Sequence, residues 1–157
     1  MKRLTKLTSV LAAGALFMGA LAGCGGSKDA GKAGDTIKVG ALLEMTGGSA
    51  SFGISSKNGI DLALKKINEK GVLGGKKLSL VVADTKSEAS EATNGMQKLV
   101  SQDKVVAVIG PNQSSAVIAA GAINNGSKVL GITPMGTNPD VTVDPKSKKT
   151  KEYNFRA

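Results

Sequence analysis

From Thr36 onward, short apolar runs alternate with longer stretches in which apolar residues recur every three or four positions. "IKVGALL" (37–43) predicts a strand, and after a Gly- and Ser-rich loop Ile60, Leu64 and Ile67 mark one face of a helix over 54–70. Gly71 and Gly74-Gly75 stop it. "KLSLVVAD" (77–84) predicts a second strand, and Ala89, Ala92, Met96, Leu99 and Val100 the stripe of a helix over 87–102. "KVVAVIG" (104–110) is a nearly unbroken β-branched run, the pattern of a strand buried on both faces of a parallel sheet. A helix of small residues over 114–124, a strand over 127–134 and the start of a fifth strand in "EYNFRA" complete the series. Alternating βαβαβαβ order with short connections predicts an α/β fold, a doubly wound parallel sheet with helices on both faces.

The first 35 residues follow another pattern. Lys2, Arg3 and Lys6 precede an uncharged run, "LTSVLAAGALFMGALAG" (7–23), whose basic start, apolar centre and small-residue exit predict a secretory signal peptide. A membrane anchor or a buried helix is the competing reading, although the run falls short of the about 20 apolar residues that span a bilayer. Leu21-Ala22-Gly23-Cys24 resembles the lipobox of bacterial lipoproteins, which implies cleavage before Cys24 and a diacylglyceryl group on its thiol. Two or more acyl chains anchor stably where one is marginal. "GGSKDAGKAGD" (25–35) lacks apolar periodicity and reads as a flexible tether. The expected organisation is a signal peptide at 1–23, a tether at 24–35 and one domain at 36–157, lipid-anchored on the extracytoplasmic face of the cell membrane.

Composition removes several function classes. Cys24 is the only cysteine, so an internal disulfide or a Cys-based zinc site has no ligands. The chain has no histidine, which withdraws Ser-His-Asp chemistry and His-ligated metals. Neither a dinucleotide fingerprint nor a phosphate-binding loop is present, and no cofactor is expected. The formal charge is +9, of which Lys2, Arg3 and Lys6 supply three. With aromatics at 3% of residues, the lysines read as a solvated surface, and no nucleic-acid partner is expected.

In open α/β sheets ligands bind beyond the carboxyl ends of the strands, which directs attention to "EMTGGSASFG", "GPNQSS" and "TPMGTNP". Ser114 and Ser115 sit where the third helix begins, so that unpaired N–H groups and hydroxyls there suit an anion; Ser114 as an ordinary N-cap is the alternative. Thr137 offers a hydroxyl and an N–H, and Met135 a carbonyl. Donors for a carboxylate beside an acceptor for an ammonium suit an α-amino acid. Ser114 as an enzymatic nucleophile lacks a G-x-S-x-G elbow and a histidine partner, so an enzyme is not expected.

"IGPNQSS" and "ITPMGTNP", with the flanking sequence over 36–157, resemble the leucine/isoleucine/valine-binding proteins, substrate-binding components of branched-chain amino acid ABC importers. The resemblance implies a type I periplasmic-binding-protein lobe, permease and ATPase partners, and an aliphatic amino acid ligand. It places the ligand carboxylate on Ser114 with Ser115 beside it, the ammonium on the Met135 carbonyl, and both on Thr137. It puts Phe52 at the side-chain end of the pocket, where packing as a loop aromatic is the alternative. Members of the family have a second lobe that closes over the ligand, so 36–157 is expected to form part of the first lobe and to bind weakly or not at all by itself. A sensor or receptor lobe for amides or other small solutes is the alternative function.

Overall fold

The structure is a computed structural model that describes residues 36–71 and 73–157. The expected signal peptide at 1–23, Cys24 and the expected tether at 24–35 lie outside the described residues.

Five strands form one parallel sheet in the order β2-β1-β3-β4-β5: β1 (Thr36–Leu43), β2 (Lys77–Asp84), β3 (Ala107–Ile109), β4 (Leu130–Thr133) and β5 (Asn154–Arg156). Three helices connect them, α1 (Ala50–Lys70), α2 (Ala89–Ser101) and α3 (Ser114–Ser127), and a 3-10 turn spans Pro139–Val141. The strands are in register from Thr36 opposite Lys77 to Thr133 opposite Arg156, so all five carboxyl ends share one edge.

Alternation along the strands divides the core in two. Leu42 and Val108 face α2 and α3, where they meet Ala92, Met96, Leu99, Ala116 and Ala120. Ala41 and Leu43 face α1 and meet Ile60, with Leu64, Leu80 and Ile109 packed alongside. The doubly wound α/β class expected from the sequence is therefore observed.

Several boundaries differ from expectation, each for a local reason. α1 begins at Ala50 rather than 54, because the Gly- and Ser-rich loop enters the helix directly behind its N-cap residue Ser49. Gly71 ends it as expected, in the left-handed conformation (φ 65°) with its N–H on the Ile67 carbonyl. β3 is three residues long instead of seven: Lys104 turns at φ 58°, and Val105, 4% exposed, packs beneath α2 with its N–H on the Leu99 carbonyl. α3 continues to Ser127, three residues past the expected end, and Lys128 terminates it in the left-handed region. β4 accordingly starts at Leu130.

Candidate functional site

The loops at the carboxyl edge are held by a network that begins at β1. Glu44, the residue after β1, is fully buried, and its carboxylate accepts the N–H groups of Asn112 and Gln113 at 3.1 Å. A carboxylate at this place satisfies backbone donors just ahead of α3 and sits at the positive end of the helix dipole. Two glycines make the approach possible. A Cβ on Gly53 would lie 2.1 Å from the Glu44 carbonyl, and Gly110, at φ 98°, admits only 2.1 Å between such an atom and the Leu42 carbonyl. The Gly110-Pro111 peptide is cis.

Cross-links then tie the loops to one another. Gln113 Nε2 donates to Ser49 Oγ at 2.7 Å and Ser56 Oγ to Asn112 Oδ1 at 3.1 Å, joining α1 to the turn before α3. Thr133 Oγ1 donates to the Pro111 carbonyl at 2.6 Å and accepts the Gly136 N–H at 3.0 Å, fixing the exit of β4. Asn138 N–H donates to Ser114 Oγ at 3.3 Å, which brings the loop after β4 onto the first residue of α3.

Beneath the first loop lies Asp84, which ends β2 and accepts the N–H groups of Met45 (2.9 Å), Thr46 (3.1 Å) and Lys86 (2.8 Å) and the Thr46 hydroxyl (2.6 Å). Burial raises the pKa of this carboxyl, but the Thr46 hydroxyl and the three N–H groups outweigh it and hold the group below its ordinary value.

Ser114 is the first helical residue, not the cap. Gln113 holds the N-cap position in extended conformation and makes no side-chain cap bond, which overturns the capping alternative. The Ser114 hydroxyl faces the Asn138 peptide instead, while the N–H groups of Ser114 and Ser115 belong to the first turn and have no intrahelical acceptor. Among the described residues, the Met135 carbonyl and the Thr137 N–H have no backbone partner, whereas the Thr137 carbonyl accepts from Arg156 Nη1 at 2.8 Å. Ser114 and the Met135–Asn138 loop are thus brought together. Ser115 and Phe52 take no part in these bridges; Phe52 lies in the first turn of α1, 52% exposed, between the two serines bonded to the 112–113 turn. Glu44, Asn112, Gln113 and Asn138 were not among the expected site residues. For Glu44 a signal existed, a single acid directly after the apolar run 37–43.

The arrangement offers N–H donors and hydroxyls at the start of α3 and a carbonyl acceptor on the loop after β4, with the Met135 side chain half-exposed. Among the described residues no cluster of acids or cysteines is placed to hold a metal ion.

The sequence profile of the periplasmic binding protein family matches residues 36–157. The chain belongs to this family. An amino acid binding protein of Pseudomonas aeruginosa is 38% identical to this chain over 106 residues, which are 68% of this chain and 28% of that one. The Leu/Ile/Val-binding protein BraC3 of Rhizobium johnstonii is 34% identical over 106 residues, 29% of its length. Among solved structures, the branched-chain amino acid transporter substrate binding protein LivJ of Streptococcus pneumoniae, in complex with isoleucine, superposes with a TM-score of 0.70 at 37% identity, covering 77% of this chain and 33% of that one. The leucine binding protein LivK of Thermotoga maritima gives a TM-score of 0.62 at 38% identity, covering 68% and 29%. The likeness drawn from "IGPNQSS" and "ITPMGTNP" is borne out at the level of the family, and the chain spans about a third of the length of these relatives.

Proposed function

We propose that this periplasmic binding protein forms one wall of a site for a branched-chain or similar aliphatic L-amino acid and serves as the substrate-binding component of an ABC importer, held at the extracytoplasmic membrane face by a lipid on Cys24. The observation that carries the reading is the 3.3 Å bond from the Asn138 N–H to Ser114 Oγ, which seats the Met135–Thr137 loop against the start of α3. The ligand carboxylate takes the N–H groups of Ser114 and Ser115 with the Thr137 hydroxyl, and its ammonium takes the Met135 carbonyl. Phe52 contacts the aliphatic side chain. The names of the relatives support the ligand class, and the permease and ATPase partners follow from the same class.

Amide chemical shifts of the chain, recorded while L-leucine, L-isoleucine or L-valine is added to millimolar concentration, test the site. Shifts at Ser114, Ser115, Gly136 and Thr137 that D-leucine does not reproduce are expected, and Thr137→Ala should abolish them. Unchanged amides in that cluster with all three amino acids would sink the assignment. For the anchor, Cys24→Ala should release the protein from the membrane fraction; retention with an unchanged cleavage position refutes lipidation.

A further inference from the structure

We propose that Arg156 is a positioning residue of this site, acting through the Thr137–Asn138 peptide to hold the Ser114 hydroxyl as a hydrogen-bond donor, and that the site is thereby tuned to a free α-carboxylate rather than an amide. The inference rests on the amino acid reading above. Arg156 Nη1 donates to the Thr137 carbonyl at 2.8 Å, and the Asn138 N–H donates to Ser114 Oγ at 3.3 Å. Those two backbone groups belong to one peptide unit. In a trans peptide the C=O and N–H point in opposite directions, so the unit forms a bridge from a guanidinium on β5 to the first residue of α3. Arg156 is itself fixed by the sheet: it lies opposite Thr133 in register, and the Ala157 N–H donates to the Thr133 carbonyl. The loop after β4 is therefore held from within by the Thr133 hydroxyl on the Gly136 N–H and from outside by Arg156.

The effect on Ser114 follows from what a hydroxyl can do. It has one hydrogen to donate and two lone pairs with which to accept. The Asn138 N–H takes a lone pair, and among the described residues the Ser114 hydroxyl donates to nothing, so its hydrogen is left for a ligand. A charged donor makes a stronger bond than a neutral one, and a carbonyl engaged in this way polarises the N–H of its own peptide. The long contact to Ser114 is thus reinforced from behind.

A cation at this place answers a charge already present. The approach to α3 carries Glu44, fully buried, whose carboxylate accepts the N–H groups of Asn112 and Gln113. A ligand carboxylate arriving at the next residue meets that like charge. Arg156 bonds the far side of the Thr137–Asn138 peptide, and among the described residues no acid forms an ion pair with it. Because Arg156 is exposed, solvent screens its direct attraction, and the hydrogen-bonded bridge carries its influence. An amide in place of the ligand carboxylate keeps one acceptor oxygen but turns the other position into a donor and carries no charge.

Two sets of amide spectra of the chain, one without ligand and one with it, test the proposal. Without ligand, the Asn138 amide proton should move to lower frequency and exchange faster in Arg156→Gln, while the Leu78 amide at the other edge of the sheet stays in place and reports an intact fold. With ligand, the initial slope of the Ser114 and Thr137 amide shifts against L-leucine concentration should fall about fivefold in Arg156→Gln, and the preference for L-leucine over L-leucinamide should shrink with it. Arg156→Lys, which keeps the charge and one donor, should recover most of the loss. In the Ser114→Ala background Arg156→Gln should have no further effect on the slope, which a residue that only stiffened the loop would not show. An unmoved Asn138 amide in ligand-free Arg156→Gln, or equal losses with and without the Ser114 hydroxyl, overturns the proposal and leaves the amino acid site standing. Absence of any shift with L-leucine in the unaltered chain overturns the ligand reading and this proposal together.

Discussion

Glu44 is a buried carboxylate whose charge is answered by backbone rather than by a lysine or arginine: two N–H groups at the start of α3 are its partners. Removing it by Glu44→Ala strands those donors in a closed site, at a cost of about 1–3 kcal/mol for each. Urea unfolding should show that loss, and Glu44→Gln, which keeps one acceptor, a smaller one. Asp84 works by the same means on the neighbouring loop, and its lowered pKa fixes the sign of a pH effect. A folded-state pKa below the unfolded value means that the stabilisation is complete above the ordinary carboxylate range and disappears as pH falls through the folded-state value. Asp84→Asn should therefore flatten the acid limb of the stability curve while lowering the plateau at neutral pH; an unchanged acid limb contradicts the assignment. Gly53 sets the third constraint, since Gly53→Ala forces a methyl to within 2.1 Å of the Glu44 carbonyl unless α1 withdraws. Overpacking of this kind typically costs about 1–3 kcal/mol, read from the same unfolding curves.

At the scale of elements, α1 shows how edge and helix are joined. Asn68 near its end bonds the outer strand twice, donating from Nδ2 to the Leu78 carbonyl at 2.9 Å and accepting the Leu78 N–H at 2.7 Å, which occupies backbone groups that an edge strand otherwise leaves open. Asn68→Ala should cost about 1–2 kcal/mol in urea unfolding and speed hydrogen exchange at Leu78. Element order, sheet type and the stop at Gly71 were legible because each rests on periodicity or on a local backbone preference. The short β3 was not, since Val105 is apolar for burial under α2 rather than for a ladder, and a β-branched run looks alike in both roles. The fit of Ser114 against Asn138 is likewise a contact between segments 24 residues apart, so its residue types were readable but their bridge was not. Glu44 stood out as a single acid after an apolar run, but its partners were hidden for the same reason, since they lie 68 and 69 positions away.

At the scale of the molecule, the proposed site is one-sided. Ser114 and Ser115 open α3 and Met135 and Thr137 lie on the loop after β4, all at a single sheet edge, and Phe52 and Met135 remain 52% and 46% exposed. A ligand resting on this wall keeps much of its surface in water, where a charge-assisted hydrogen bond contributes less than in an enclosed pocket. The proposed wall supplies about four polar contacts, each worth about 1–3 kcal/mol at best when desolvated and less in open solvent, and these must also offset the lost freedom of the bound amino acid. The balance leaves millimolar or weaker affinity for the chain as given, against the much tighter binding that a pocket closed on both sides permits. Titration followed by amide shifts should accordingly fail to saturate at low millimolar L-leucine and show no slow exchange. Saturation at micromolar concentration would mean that the described wall encloses its ligand by some rearrangement, and the one-sided site would have to be abandoned.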